Sequence, residues 1–320
     1  MRFVVVGAGA VGGVVGGRLA EHGHEVVLVA RGAHHDAIRR DGLLVRSPDR
    51  QVRVQVPVVE RASLAAPTTG DVVLLAVKSQ DTQAALDDLG DAPDDLPIVC
   101  LQNGVSNERA ALRRTSRVYA VPVMLPATFL HPGVVDSSSS PCTGILDVGR
   151  YPTGVDDLTS ALAAAFAASG FDSVARPDVM RFKWSKLLMN LGNALEAACG
   201  PAARTSVLAG RARDEGRAVL DAAGIDAASD EEELARRGDL ISMHPIDGER
   251  RGGGSTWQSL ARGTGSIEVD HLNGEVVLLG RLHGVPTPVN ELLQRTARGL
   301  AAAGAPPGSL AVEDLEALLG

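Results

Sequence analysis

The sequence predicts an α/β protein, a doubly wound parallel sheet with a second, all-helical domain, on three observations. A short apolar run, Arg2 to Val6, ends in Gly7-Ala8-Gly9-Ala10-Val11-Gly12 and returns after one helix-length segment as a second apolar run, Glu25 to Ala30. Apolar runs then alternate with helix-compatible stretches to about Gly149. Beyond Pro177 the alternation gives way to long helix-compatible runs. A chain of 320 residues has room for two cores, and the change of pattern sets the domains at 1–177 and 178–320.

The return of an apolar strand after a single helix requires parallel pairing and a right-handed crossover. Further strands are predicted at Val52 to Val59, Asp71 to Val77, Pro97 to Leu101 and Arg117 to Val123, with helices at Gln80 to Leu89 and Asn107 to Arg113. His131 to Thr153, rich in Gly, Ser and Pro, reads as loops and short antiparallel strands, and Asp156 to Ser169 as an Ala-rich helix. Helices of the second domain are expected at Val179 to Cys199, Ser206 to Ala223, Ser266 to Leu282 and Val289 to Ala301. Pro245 and Gly252-Gly253-Gly254 mark a flexible loop ahead of Ser255.

Composition narrows the function. With 45% hydrophobic and 22% charged residues the chain reads as globular. A formal net charge of −8 gives no broad basic field, so no nucleic acid partner is expected. The three cysteines, Cys100, Cys142 and Cys199, form no CxxC pair and read as buried thiols. The eight histidines lack metal-ligand spacing; His34-His35 reads as solvated surface, and no metal is predicted. The opening residues mimic a signal peptide but break into glycines without a cleavage site. No uncharged apolar stretch of about 18 residues occurs, so no membrane span is expected and the cytoplasm is the expected location.

A GxGxxG alone is a weak signal, but this one follows a strand, opens a helix and sits in a βαβ unit. That context makes a Rossmann-type dinucleotide site. Gly7 permits the tight turn, Gly9 lets the backbone approach a pyrophosphate and Gly12 lets helix and strand pack closely; Ala8, Ala10 and Val11 complete the binding turn. After the second strand stands Arg31, where an acid would bind the free ribose hydroxyl of NAD. A guanidinium there suits a 2′-phosphate, so NADP (NADPH) is the predicted cofactor.

Lys186, Asn190 and Asn193 fall at i, i+4 and i+7 and form a polar stripe on an otherwise apolar helix, where two asparagines need a reason to be present. The fingerprint with Arg31, Leu74-Leu75-Ala76-Val77-Lys78, Leu101-Gln102-Asn103-Gly104, Trp184-Ser185-Lys186-Leu187-Leu188-Met189-Asn190 and Ile267-Glu268-Val269-Asp270-His271-Leu272-Asn273-Gly274 occur in that order. Together they resemble the ketopantoate reductase (2-dehydropantoate 2-reductase) family over nearly the whole chain. The resemblance implies reduction of a 2-keto acid by NADPH, most closely 2-dehydropantoate to pantoate in coenzyme A precursor synthesis. It implies Lys186 as general acid, Asn190 and Ser255 as substrate-binding residues, Glu268 as a catalytic residue contacting the hydroxyl, and Lys78 and Asn103 at the nicotinamide end. A cation beside the carbonyl oxygen is what a developing alkoxide requires.

The chain departs from the family pattern at Ala194, where a second asparagine is usual, and at Gln258-Ser259 in place of Gln-Asp. Either Asn193 substitutes as a substrate-binding residue from a neighbouring azimuth, or the pocket is shaped for another acid. Two other readings stay open: an imine or opine-type NADPH reductase of secondary metabolism, and a non-enzymatic NADPH-binding sensor. The helical domain is also the candidate surface for a homodimer.

Overall fold

The computed structural model describes residues 1–263 and 265–319. They divide into two compact units, Met1–Lys183 with Asp230–Arg251 and Trp184–Ser229 with Gly252–Gly320. The first unit lays down β1 (Arg2–Val6), α1 (Ala10–Glu21), β2 (Glu25–Val29), α2 (Gly32–Asp41), β3 (Leu43–Arg46), β4 (Gln51–Val54) and β5 (Val58–Val59). It continues with β6 (Asp71–Leu75), α3 (Thr82–Asp87), β7 (Ile98–Cys100), α4 (Asn107–Leu112), β8 (Val118–Ala120), β9 (Ala127–Thr128), β10 (Val134–Ser137), β11 (Gly149–Arg150) and α5 (Asp157–Ala168). The helix α6 (Val179–Asn190) follows, and the division between units falls within it.

The main sheet runs β11-β8-β7-β6-β1-β2-β5 and is parallel except for its edge strand β11. Val4, Val6, Val73, Leu75 and Ile98 enter one core, and Phe3, Val5, Leu28, Leu74 and Val99 the other. Burial on both faces is why these strands read as continuous apolar runs. Strand order reverses at β1, which has β2 on one side and β6 on the other, and the carboxyl end of β1 carries the glycine turn.

The run Val52 to Val59 is two strands in two sheets, with Pro57, which has no N–H to give a ladder, just before the second. β4 belongs to a separate four-stranded sheet, β4-β3-β10-β9, that the sequence did not reveal, while β5 pairs with β2. α1 packs against both sheets.

Among the described residues, the regular elements of the second unit are all helices. After α6 come α7 (Asn193–Cys199) and α8 (Val207–Ala222); the chain then rejoins the first unit as α9 (Asp230–Arg237) before α10 (Ser255–Ala261), α11 (Asn273–His283), α12 (Pro288–Ala302) and α13 (Val312–Ala317). A single crossing at 177/178 therefore gives way to a discontinuous division. The returning segment is pinned by charge: Arg236 donates to Asp147 from Nε at 2.7 Å and from Nη2 at 2.6 Å, and to Asp172 at 2.5 Å. A backbone bond from His244 N–H to the Ser138 carbonyl, 2.8 Å, adds to it.

Two long helices expected from sequence are interrupted. Val179 to Cys199 breaks at Leu191-Gly192, where the Leu191 carbonyl accepts from Asn273 Nδ2 at 3.0 Å and Glu196 N–H starts the new helix on the Gly192 carbonyl. Lys186 and Asn190 thus share a helix, and Asn193 opens another. Ser266 to Leu282 is a 3₁₀ turn, Glu268–His271, separated from α11 by Leu272 at φ −115°, ψ −91°. Among the described residues no helix is long and apolar enough to cross a membrane, and no group of three or more His, Cys, Asp or Glu is placed to hold a metal.

Candidate active site

The glycine turn is made by backbone constraint. Gly7 sits at φ +101°, where a Cβ would lie 2.8 Å from Val77 Cγ1, a conformation and a contact that only glycine meets without strain. A Cβ at Gly12 would fall 2.1 Å from the Gly7 carbonyl oxygen. Gly9 is different: it caps α1 in an extended conformation, and a Cβ there would meet no atom within 4 Å. The protein's own packing leaves that volume open, as a turn admitting a pyrophosphate must. Gly9 offers no capping side chain, and α1 has no acid in its first turn, so its leading amides and positive dipole end are unopposed by charge. These residues fit a dinucleotide.

His34 and His35, expected at the solvated surface, are buried, His34 at 9% exposure. Gly133 N–H donates to His34 Nδ1 at 2.9 Å, so Nε2 carries the proton and donates to the Ala8 carbonyl at 2.7 Å. The imidazole also lies 4.4 Å from the Phe129 ring, centroid to centroid. Burial pushes its pKa down, outweighing the opposing effect of the Ala8 bond, and the neutral ring ties the dinucleotide turn to the loop before β10.

Lys78 and Asn103 lie at the carboxyl edge of the same sheet, after β6 and β7, and both are half-buried. A buried network joins their loops. Gln102 Nε2 donates to the Val77 carbonyl at 2.9 Å and to Thr82 Oγ1 at 2.8 Å; Thr82 Oγ1 donates to Asn107 Oδ1 at 2.8 Å; and Asn107 Nδ2 donates to the Asn103 carbonyl at 3.0 Å. No motif or spacing marks Thr82 or Asn107, whose roles come only from folding.

Arg31 caps α2 directly after β2. Its Nη2 stands 3.9 Å from Asp88 Oδ2, and its side chain is 72% exposed. Also in the first unit, Lys183 on α6 makes a buried ion pair with Glu108 of α4. One partner alone would be an uncompensated buried charge, so the pair holds the start of α6 to the sheet.

In the second unit, Lys186 is half-buried and Asn190 buried, one turn apart on α6. Asn193 joins a different group: its Oδ1 accepts from Arg204 Nη1 at 2.7 Å, and the same nitrogen meets Glu196 Oε2 at 2.9 Å. Glu196 Oε2 accepts the Gly254 N–H at 3.2 Å, which fixes the start of α10, where Ser255 is the first residue. Ser255 Oγ is buried and has no partner among the described residues. An unpaired buried hydroxyl costs about 1–3 kcal/mol, so an oxygen arriving there would be bound. Ala194 is a core residue of this unit, so its side chain helps to fill that core.

Glu268 is 3% exposed in the 3₁₀ turn. Five residues on, Asn273 Nδ2 holds both the Leu191 carbonyl and Asn290 Oδ1, each at 3.0 Å. The turn carrying Glu268 is thereby tied to the helix break immediately after Asn190. Sequence periodicity could not show this link, because it joins residues 82 apart.

Two family models match this chain: "Ketopantoate reductase PanE/ApbA" over residues 3–152 and "Ketopantoate reductase PanE/ApbA C terminal" over 178–301. The 2-dehydropantoate 2-reductase of Halobacterium salinarum is 32% identical over 307 residues, covering 90% of this chain and 95% of that protein. That of Pyrococcus horikoshii is 27% identical over 302 residues, 92% and 95% of the two chains. A PanE/ApbA family ketopantoate reductase from Ralstonia eutropha superposes with a TM-score of 0.78 at 30% identity, covering 95% of this chain and 99% of that one. D-mandelate dehydrogenase, solved with NADH and anilino(oxo)acetate, shares the fold with a TM-score of 0.79 at 21% identity, again over 95% and 99%.

Proposed function

The chain belongs to the ketopantoate reductase family of oxidoreductases, and from that premise we propose that it reduces a 2-keto acid with NADPH, 2-dehydropantoate being the first substrate to try. The observation that carries the reading is the match of both domain models, one over the nucleotide unit's sheet and one over the helical segment bearing Lys186. The open volume at Gly9 supports dinucleotide binding, and Arg31 in place of an acid supports the 2′-phosphate form. Ala8, Ala10 and Val11 supply backbone to the same turn, while Lys78 and Asn103 stand at the sheet edge where the nicotinamide end is proposed.

NADPH, when bound, would supply a hydride for the keto carbon. As charge develops on the carbonyl oxygen, the Lys186 ammonium gives it a proton, and before that its cation polarises the same atom. Asn190 and Ser255 hold the substrate's oxygens, the unpaired Ser255 hydroxyl being the donor most in need of a partner. Asn193 contributes through Arg204 and Glu196, by fixing the turn ahead of Ser255. Glu268 holds the hydroxyl of the product. The reading extends to a cytoplasmic homodimer whose contact is made by the helical segment 178–320.

The test follows NADPH oxidation against 2-dehydropantoate and a panel of 2-keto acids, with and without amines. Turnover of 2-dehydropantoate is expected, with kcat of Lys186→Ala lower by about 10²- to 10⁴-fold and NADPH affinity retained. Turnover that requires an amine and ignores Lys186→Ala would move the assignment to imine reduction, since an iminium arrives already protonated. NADPH binding with no turnover of any acid would leave a sensor.

A further inference from the structure

We propose that Arg61 and Arg31 form a two-guanidinium clamp for the phosphate monoester on the adenosine ribose, with Asp88 as the buried carboxylate that aims them. The inference deepens the NADPH reading above and rests on it. β5 pairs in parallel with β2, Val59 opposite Val29, so Arg31 and Arg61, each two residues past its strand, emerge at the same carboxyl edge of the sheet. With Glu60, Ala84, Asp87 and Asp88 they line an open groove of about 700 Å³.

Asp88 is the C-cap of α3, with its side chain only 8% exposed. Its Oδ1 accepts from Arg61 Nε at 2.7 Å, its Oδ2 accepts the Ala62 N–H at 2.8 Å, and Arg31 Nη2 stands 3.9 Å away. Burial works against its charge, but the Arg61 and Ala62 hydrogen bonds and the two guanidinium charges hold its carboxyl below the usual carboxylate range. Arg61, 64% exposed, would otherwise sample many rotamers. Gripped through Nε, it keeps both Nη groups clear of other partners among the described residues, and Arg31 makes no closer ion pair than the one to Asp88. A fork held from behind is preorganised for bidentate bonding to phosphate.

The acids of the groove sharpen the expectation. Three carboxylates, of Glu60, Asp87 and Asp88, face two guanidiniums, so the groove attracts a dianion only through directed hydrogen bonds. Removing either arginine enlarges the surplus of negative charge, which repels a phosphate and tolerates a ribose hydroxyl.

The experiment measures dissociation constants of the full chain for NADPH, NADH, 2′,5′-ADP and 5′-AMP by calorimetry. Wild type should prefer NADPH over NADH, and 2′,5′-ADP over 5′-AMP. Arg61→Ala should weaken NADPH and 2′,5′-ADP by about tenfold or more, the usual worth of a charge-assisted pair, with NADH and 5′-AMP unchanged as the control for folding. Arg61→Lys, which keeps the charge and loses the fork, should fall between. If Arg61→Ala leaves the NADPH to NADH ratio at its wild-type value while Arg31→Ala collapses it, Arg31 acts alone and the clamp is refuted. A wild-type ratio near one refutes the NADPH reading itself, and is read before any variant is made.

Discussion

The glycine turn of the first unit is shaped by backbone conformation and close packing, whereas the lysine segment of the second is held by side-chain hydrogen bonds from residues far along the chain. At the turn, the Gly7 carbonyl closes on Gly12, and Val77, two residues past β6, packs against Gly7. Around Lys186, the helix is broken one residue after Asn190, and the break is stitched by Asn273. A ligand site can thus be made by local conformation or by long-range side-chain bonds. The two differ in what a single substitution does to them.

The largest expected effects separate folding from binding within the turn itself. Gly12→Ala forces a Cβ to 2.1 Å from a backbone carbonyl oxygen, so it should destabilise by about 3 kcal/mol or more, the upper end for overpacking. Gly9→Ala meets no atom within 4 Å and should keep the wild-type melting temperature while weakening NADPH by about tenfold or more, because its methyl occupies the volume a pyrophosphate needs. Thermal unfolding and dinucleotide titration of the two variants give the comparison. Equal NADPH affinity for Gly9→Ala and wild type would show that the open volume is not the cofactor's.

That contrast also explains what could be read from sequence. The parallel sheet was legible because strands buried on both faces are continuous apolar runs, and the turn because each glycine answers a local demand. The four-stranded second sheet was not: β3, β4, β9 and β10 are two to four residues long, and β10 pairs with β3 some ninety positions away. At the site, the spacing of Lys186 and Asn190 held because both lie within α6, while the extension to Asn193 assumed a helix that continues past Gly192. Arg204 and Glu196 carry no signal in the sequence, and Asn273 stands there only within a family motif, for one reason. Each acts on a partner that no periodicity places beside it.

The stitching of the lysine segment gives the next prediction. Asn273→Ala removes the donor to the Leu191 carbonyl and to Asn290 Oδ1, which should cost about 1–3 kcal/mol of stability as buried acceptors go unmet. Because the break follows Asn190 directly, kcat/KM should fall as well, with NADPH affinity retained. Denaturant unfolding and steady-state kinetics check both parts. A loss of stability with kcat/KM intact would show that the break supports the core without positioning Lys186 and Asn190.

The smallest effect belongs to the side-chain clamp that His34 places on the turn. His34 is neutral in the fold, since burial lowers its pKa from the usual 6.5 and the Gly133 N–H occupies Nδ1. An unfolded histidine takes a proton at a higher pH than the folded one does, so the unfolded state binds more protons as the solution is acidified. His34 therefore costs no stability above the unfolded pKa of 6.5 and an increasing amount as pH falls from there through the lower folded value. His34→Gln does not titrate, so wild-type stability minus that of the variant should fall as pH is lowered below 6.5. NADPH affinity should follow the same curve, because protonated Nδ1 repels the Gly133 N–H and strains the bond that holds the Ala8 carbonyl. A difference in stability that stays flat across that range would mean that the imidazole takes its proton at the same pH in the fold as in the unfolded chain, and that the turn is set by its glycines alone.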